Sequence, residues 1–328
     1  MRHEPLLRTT RLRLRPLVAE DAAAVHAALA DPEVMAFWSS GEHRTLAATE
    51  AWLAAAVGRA EAKQAYEWAI EHRGEVVGRV AFHEPPWLGY FLAKSAWGKG
   101  LAVEALDIAC HHAQAVLGFP VIQADVDPRN DRSLGVLARL GFEETARLRA
   151  TWRVSGRWQD SVLLARPSPT AAATLAILPA TRASDVAVAR GLLGDYASSL
   201  GRDLSFQDFE AEHRDLPGAY AAPGGILLVA WRLGTPLGMV ACRAREGGRA
   251  EMKRLYVRPE ARGQGLGRAL VDAVLAAARE AGHREMVLDT LPEMRGAQAL
   301  YEEAGFVPIA PYYDTPITGT RFLGKAIG

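Results

Sequence analysis

Residues 254–270 read Arg-Leu-Tyr-Val-Arg-Pro-Glu-Ala-Arg-Gly-Gln-Gly-Leu-Gly-Arg-Ala-Leu. Three glycines, Gly263, Gly265 and Gly267, alternate with Gln264 and Leu266 between a β-rich run ending at Val257 and a helical run starting near Gly265. A turn free of Cβ atoms lets successive backbone N–H groups converge on one point. The first turn of the following helix adds partial positive charge, and Arg262 and Arg268 add permanent charge on either side. The chemistry is anion binding, and the span suits a diphosphate. No Gly-Lys-Ser/Thr follows, so this is not a nucleotide-binding Walker loop. The third glycine also comes too early for a dinucleotide fingerprint, and no acidic residue sits suitably after the next strand. Taken alone, the turn has a competing reading as a connector with no ligand.

A second copy lies upstream. Trp97-Gly98-Lys99-Gly100-Leu101-Ala102 also precedes an apolar-periodic stretch, and each copy is followed by a Gly-Phe pair. Gly100 precedes Gly265 by 165 residues and Gly141 precedes Gly305 by 164, while Leu14–Asp21 resembles Leu178–Asp185 at 164. Three coincidences at nearly one offset, in a chain of 328 residues, make internal duplication the reading. The domains are placed at residues 1–168 and 174–328, joined through the Pro-, Ser- and Thr-rich stretch from Arg166 to Ala176.

The elements that must position these turns recur in both halves. In the first, Thr10–Pro16 predicts a strand and Ala19–Ala30 a helix. Ala65–Ile70 and Val76–Phe82 predict a hairpin around His72-Arg73-Gly74. Leu101–Leu117 and Arg132–Leu140 predict helices around a strand at Val121–Val126, with Gly141 as a helix stop. In the second, a strand is expected to start near Ala176, and Ile226–Arg232 and Leu237–Arg243 predict a hairpin around Gly234. Ala250–Val257 and Met286–Thr290 predict strands, and Leu266–Ala281 and Arg295–Ala304 helices. Hairpins mixed with crossover helices imply an α/β (α+β) class, with a mixed, mostly antiparallel twisted sheet flanked by helices in each half.

With these motifs in place, the second half resembles the GNAT (general N-acetyltransferase) superfamily. Its acyl-CoA pattern, Gln or Arg, two residues, Gly, any residue, Gly or Ala, matches Arg262, Gly265 and Gly267; its later helix with a Tyr before Gly-Phe matches Tyr301, Gly305 and Phe306. The first half is similar to the ribosomal-protein N-terminal acetyltransferase branch. The match runs through Trp97, Gly98, Lys99, Gly100, Ala102 and Glu104, then Asn130 and Ser133 before Leu140-Gly141-Phe142. The resemblance implies that acetyl-CoA is the cosubstrate and that an amine attacks its thioester directly.

What the resemblance implies for residues is uneven. In the second half it makes Glu251 the base, directly or through water, and Tyr301 the acid at the leaving thiolate. It makes the N–H groups of Leu255, Tyr256 and Val257 donors to carbonyl and pantetheine, and it draws Arg262, Gly263, Gln264, Gly265, Leu266, Gly267 and Arg268 into cofactor binding. Glu251 as a surface salt-bridge partner and Tyr301 as a packing residue are the competing readings. Met294 stands where many members have an Asn. In the first half the branch's Glu before Gly-Tyr is missing at Leu88-Gly89-Tyr90, the run His83-Glu84-Pro85-Pro86 is short, and Leu137 takes the place of Tyr301. Ser133 near the thiolate and Glu84 as a substitute base are what remains, so the first domain is expected to be catalytically weak and the second the main catalyst. A binding module that holds acyl-CoA without turnover is the alternative.

Composition narrows the partners. Lys plus Arg and Asp plus Glu both number 38, and the residues up to Ser168 carry 20 of each sign. Neither half has the basic excess of a nucleic-acid binder. No apolar run reaches a membrane span, and the start of the chain lacks the apolar core of a secretory signal. Two cysteines, Cys110 and Cys242, read as core residues of a reducing compartment, so the expected location is cytoplasmic. His111 and His112 are adjacent on a helix and point apart, and no CxxC or HExxH occurs, so no metal is expected. Asp195–Asp215, with Asp203, Asp208, Glu210 and Glu212 against Arg202 and Arg214, is an acidic stretch that would attract a cationic acceptor. Tyr312, Tyr313 and Asp314 line the acceptor pocket or pack a strand end. The acceptor is thus a small-molecule amine or a peptide, and the molecule a monomeric pseudo-dimer or a homodimer.

Overall fold

A computed structural model of the chain describes residues 5–200 and 209–328. It divides into two compact units: one holds residues up to Thr174 and, in addition, Leu233–Thr235, the other the remainder from Leu175.

In the first unit β1 (Leu7–Arg8) and β2 (Leu12–Pro16) precede α1 (Ala22–Leu29), α2 (Pro32–Met35) and α3 (Leu46–Glu61). A meander of β3 (Tyr66–His72), β4 (Glu75–Glu84) and β5 (Trp87–Leu92) follows. Then come α4 (Leu101–Ala115), β6 (Val121–Val126), α5 (Asp131–Arg139) and the hairpin β7 (Glu143–Val154) and β8 (Arg157–Pro167). The strands order β1-β2-β3-β4-β5-β6-β8-β7. β5 and β6 pair in parallel, as the intervening crossover helix α4 requires. Period-2 alternation divides the central strands β3, β4 and β6 between two buried faces. Trp68, Ile70, Phe82, Ile122 and Leu164 pack under α4 and α5, while Ala69 and Phe91 pack under α1 and α3.

The second unit repeats the plan with β9 (Ala176–Pro179), α6 (Ala183–Leu200), α7 (Phe209–Asp215), β10 (Ile226–Arg232), β11 (Thr235–Arg245) and β12 (Arg249–Val257). After these come α8 (Leu266–Glu280), β13 (Glu285–Thr290), α9 (Arg295–Glu303), β14 (Val307–Pro308) and β15 (Arg321–Ala326). The order is β14-β15-β13-β12-β11-β10-β9, and β12 and β13 are again a parallel pair. Val240, Cys242, Ala250, Met252, Met286 and Leu288 pack under Leu270, Val271 and Val274 of α8 and Tyr301 of α9.

The fold class is the expected one: two mixed, mostly antiparallel sheets flanked by helices. The hairpin turns Arg73-Gly74 and Leu233-Gly234 hold both residues at positive φ, between 49° and 85°, the geometry that matches strand twist. The elements outside the expectations include α2, α3, β5, the hairpin β7–β8 and β15. Alanine dilutes the apolar stripe of α3, and β7 alternates Arg and Glu with small residues as an edge strand does. Among the described residues no helix is long and apolar enough to cross a membrane.

Candidate active site

The two glycine turns have one conformation. Arg262 is extended at φ −69°, ψ 158°, and Gly263 and Gly265 are left-handed at φ 74° and 77° before α8 begins at Leu266. Trp97 is at φ −70°, ψ 157°, and Gly98 and Gly100 are at φ 72° and 73° before α4 begins at Leu101. A Cβ at these positions would cost about 1–2 kcal/mol. No side chain caps the N-terminus of either helix, so the first-turn N–H groups, ordinarily capped, stay available for an outside acceptor. Space beside Gly98, Gly263 and Gly265 is open.

The side chains around the turns differ in use. Arg262 Nε donates to the Val257 carbonyl at 3.0 Å and Gln264 Nε2 to that of Glu260 at 3.2 Å, which brace the loop. Arg268 is tied to Asp272 at 2.9 Å and to the Glu303 carbonyl at 3.2 Å. Gly267 has a packing reason of its own: a Cβ there would come within 3.2 Å of Leu300 on α9. In the first unit Lys99 Nζ donates to the Ser95 carbonyl at 2.7 Å, and Arg132 stacks 4.7 Å over the Trp97 ring. Arg11, absent from the sequence expectations, reaches the same turn through the Lys99 carbonyl at 2.8 Å and is anchored by Glu104. Ala102 is half-buried in the first turn of α4.

Beside the second turn, β12 and β13 part company. Their parallel register ends at Glu251↔Val287, so the stretch carrying Leu255, Tyr256 and Val257 leaves its β13 side unpaired. β12 is also bulged, with Arg254 at φ 58°. At Gly238 the neighbouring strand comes so close that a Cβ would collide with the Tyr256 carbonyl, and Gly78 stands in the same relation to Phe91 in the first unit. On the face away from α8, Glu251 is fully buried. Its carboxylate accepts from Arg243 Nε at 2.7 Å, Arg245 Nη1 at 3.1 Å and Tyr312 Oη at 3.1 Å, with Lys253 Nζ at 3.7 Å. Burial works to raise its pKa, but Lys253, Arg243 and Arg245 together hold it below the ordinary value. Glu251 is therefore an ion-pair partner, in the interior rather than on the surface, with two of these bonds on Oε2 and one on Oε1.

Tyr301 lies on α9, 7% exposed, edge-on to Phe306 at 5.9 Å. Among the described residues no hydrogen bond reaches its hydroxyl, and burial, with Tyr196 and Asp289, raises its pKa well above the ordinary tyrosine value. The phenol thus stays protonated, able to donate a hydrogen bond to a developing anion. Met294 stands at the N-cap of α9 with no side-chain cap bond, whereas Asn130 at the same place of α5 caps Ser133 N at 3.1 Å. Ser133 Oγ pairs with Tyr90 Oη at 2.9 Å, and Leu137 is fully buried where Tyr301 stands. Glu84 is half-buried at the end of β4.

Two carboxylates of the acidic stretch, Glu212 and Asp215, are paired. Arg202, Asp203 and Asp208 lie outside the described residues. Glu212 is bound to Arg254 by two 2.8 Å bonds and to Tyr220 at 3.0 Å, and Asp215 pairs with Arg214 at 2.9 Å. Lys253 joins Asp289 at 2.8 Å under the Tyr313 ring. The Arg243, Arg245 and Arg254 pairings were not legible in the sequence, because their partners are brought in by register and by a separate helix. Cys110 and Cys242 are fully buried core residues whose thiols burial pushes up to about 12.

The comparisons with known proteins agree with this architecture. An acetyltransferase (GNAT) domain family matches residues 11–143, and the acetyltransferase (GNAT) family matches residues 193–306. An uncharacterised N-acetyltransferase of Schizosaccharomyces pombe is 42% identical over 134 residues, 40% of this chain and 82% of that protein. The [ribosomal protein uS5]-alanine N-acetyltransferase of Escherichia coli is 39% identical over 93 residues, 28% of this chain and 47% of that enzyme. Among solved structures, Mycobacterium smegmatis RimJ in complex with CoA-disulfide is 28% identical, with a TM-score of 0.44 over 49% of this chain and 85% of that one. The fold and the paired turns define a tandem acetyltransferase. The chain belongs to the GNAT family, with two copies of its domain in sequence.

Proposed function

We propose that the chain is an acetyl-CoA-dependent N-acetyltransferase acting on a primary amine, with the second unit as the main catalyst. The observation that carries this reading is the pair of uncapped, left-handed glycine turns at the N-termini of α8 and α4. Their residues fit a diphosphate-bearing group: converging N–H donors, open space at the glycines, and flanking Arg262, Arg268 and Lys99. Acetyl-CoA would supply the activated acetyl group and a thiolate leaving group. Trp97, Gly98, Lys99, Gly100, Ala102, Asn130 and Ser133 would hold it in the first unit. Arg262 to Arg268 would do so in the second, with Leu255 to Val257 offering N–H groups on the unpaired edge of β12.

In this reading Tyr301 donates a hydrogen bond to the departing sulfur. Glu251 takes up the amine's proton through water, because Arg243, Arg245 and Tyr312 already bond to the carboxylate itself. The acceptor is the amine of a small molecule or of a protein residue; the ribosomal-protein alanine named for the E. coli relative supports the latter class. The test is calorimetric binding of acetyl-CoA to the full chain, followed by thiol release with an amine and peptide panel. Binding with amine-dependent release is expected. Binding without release from any amine would replace this reading with an acyl-CoA-binding module.

A further inference from the structure

The duplication lets the two sheets be compared position by position. The last parallel pair of the second unit is Glu251↔Val287, and the parallel pair of the first is Trp87↔Gln123, the same positions at an offset of 164. Two residues further on, where the strands separate, the second unit has Lys253 and Asp289, with Nζ 2.8 Å from Oδ1. The first unit has Gly89 and Asp125 at those places. The aspartate is kept and the ammonium is gone. A Cβ on Gly89 would come within 3.1 Å of His83 Nδ1, so the imidazole stands beside the place the lysine side chain would start from. Burial, and then Arg79, bring His83 down to about 4, so the ring is neutral at working pH.

Asp125 is flanked by neutral groups from the two strands on its other side. Trp152 Nε1 donates to Oδ2 at 2.7 Å, and the buried Ser161 stands near enough to favour the charged form. The indole reaches Asp125 because β7 is distorted. Between Leu148 and Trp152 three of its residues oppose one of β8, and Ala150 is left-handed at φ 52° with its N–H held by Asp160 Oδ1 at 3.0 Å. Thr151 Oγ1 then braces Ser161 Oγ at 2.7 Å. A strained, fully bonded bulge that aims one N–H at one carboxylate is the kind of local distortion found at reactive sites.

We propose that the first unit is a second acetyl-transfer site, in which Asp125 accepts a proton from an acceptor ammonium seated where Lys253 lies in the second unit. This rests on the acetyl-CoA reading above and revises its weak first unit. One N–H bond of the ammonium breaks and its proton passes to Asp125. The freed lone pair forms the C–N bond while the acetyl carbon–sulfur bond breaks, its electrons leaving on sulfur. The nitrogen then sheds a second proton; one of the two ends on sulfur and the other in solvent. The site suits the task. Burial raises Asp125 to about 6, with Ser161 and Trp152 opposing and Asp127 adding a little, close to where a general base works best. Of the other charged groups nearby, Asp127 pairs with Arg129, Glu67 with Arg79 and Arg59, and Glu33 with Lys94, while Glu84 lies near His83 and Asp160 accepts from Ala150 N.

The test uses the full chain with the second unit silenced by Gly263→Val with Gly265→Val. Amine-dependent thiol release should persist, with kcat/KM rising through about pH 6. Asp125→Asn, which keeps the shape and an oxygen that can accept from Trp152, should lower it about 100-fold. Trp152→Phe removes a donor to the charged form, so it should move that limb to higher pH. The Asp125 carboxyl titration, followed by carbon-13 NMR without any acetyl donor, should move by the same amount. If the silenced chain releases no thiol while the wild type does, or if Asp125→Asn leaves the limb in place, the second site is wrong and the acetyl-CoA reading stands. A mismatch between the NMR and kinetic shifts in Trp152→Phe also overturns it. A wild-type chain that releases no thiol with any amine overturns both.

Discussion

A buried carboxylate is read through its partners. Glu251 sits among Arg243 and Arg245, whose side chains are 38% and 32% exposed, and beside Lys253, which is 10% exposed. Its folded pKa lies below the ordinary value, so its stabilising contribution is present above about pH 4.5 and is lost as pH falls through the folded value. Glu251→Gln should cost roughly 3 kcal/mol at pH 7, the low end for breaking a buried pair because the arginines are partly solvated. The gap to wild type should close in acid, and thermal unfolding at pH 7 and below 4 checks the sign. A gap that widened in acid would contradict the ion-pair account. Tyr301→Phe is the opposite case. The hydroxyl has no hydrogen-bond partner among the described residues, so its loss should leave stability and acetyl-CoA affinity unchanged while turnover falls about 100-fold, as for removal of one transition-state donor. An unchanged turnover would leave Tyr301 a packing residue.

Asp125 makes its own stability prediction. Its pKa is raised to about 6, so the folded state holds its proton where the unfolded chain has lost it. The contribution of Asp125 to stability should therefore fall as pH rises from about 4 to 6. Asp125→Asn should remove this slope and stabilise the chain at pH 7 by at most about 3 kcal/mol, the equivalent of two pKa units. A variant that gains stability while losing activity is the signature of a carboxylate kept for chemistry. A loss of stability at pH 7 would mark Asp125 as structural.

At the scale of elements, much of the fold was legible because it is carried by local rules. Gly74 and Gly234 announce the hairpins, and Gly141 and Gly305 end helices whose apolar stripes are periodic. The turns at Gly98–Gly100 and Gly263–Gly265 were legible for the same reason: no other residue adopts their φ cheaply. The chemistry on the far face of each sheet was not. Asp125 is one polar residue in an alternating strand, and its meaning depends on Gly89 opposite and on a bulge about 25 residues later. Glu251 was found by position, but burial, Lys253 and two arginines two strand positions apart on β11 decide its proton affinity. Close strand approach gives a prediction here. Gly238→Ala must push β11 away from the Tyr256 carbonyl, at about 1–3 kcal/mol for overpacking. It should also weaken acetyl-CoA binding, because Val257 leads straight into the turn. Unfolding in urea with calorimetry measures both, and a fully stable Gly238→Ala would mean that the strands have room the structure does not show.

For the whole molecule, duplication is the governing fact, and it makes a countable prediction. Each unit has its own core, its own parallel strand pair and its own uncapped glycine turn. The even charge of both halves gives neither turn a net-charge advantage for an anion. The full chain should therefore bind two acetyl-CoA molecules. Gly98→Val with Gly100→Val, and separately Gly263→Val with Gly265→Val, should each reduce the number to one, since a β-branched residue at positive φ must rearrange the turn. The remaining site should keep its affinity within a factor of about two, as expected for independent sites. Titration calorimetry gives the number directly. A wild-type value of one, abolished by a single pair of substitutions, would show that duplication of the fold did not preserve duplication of the site.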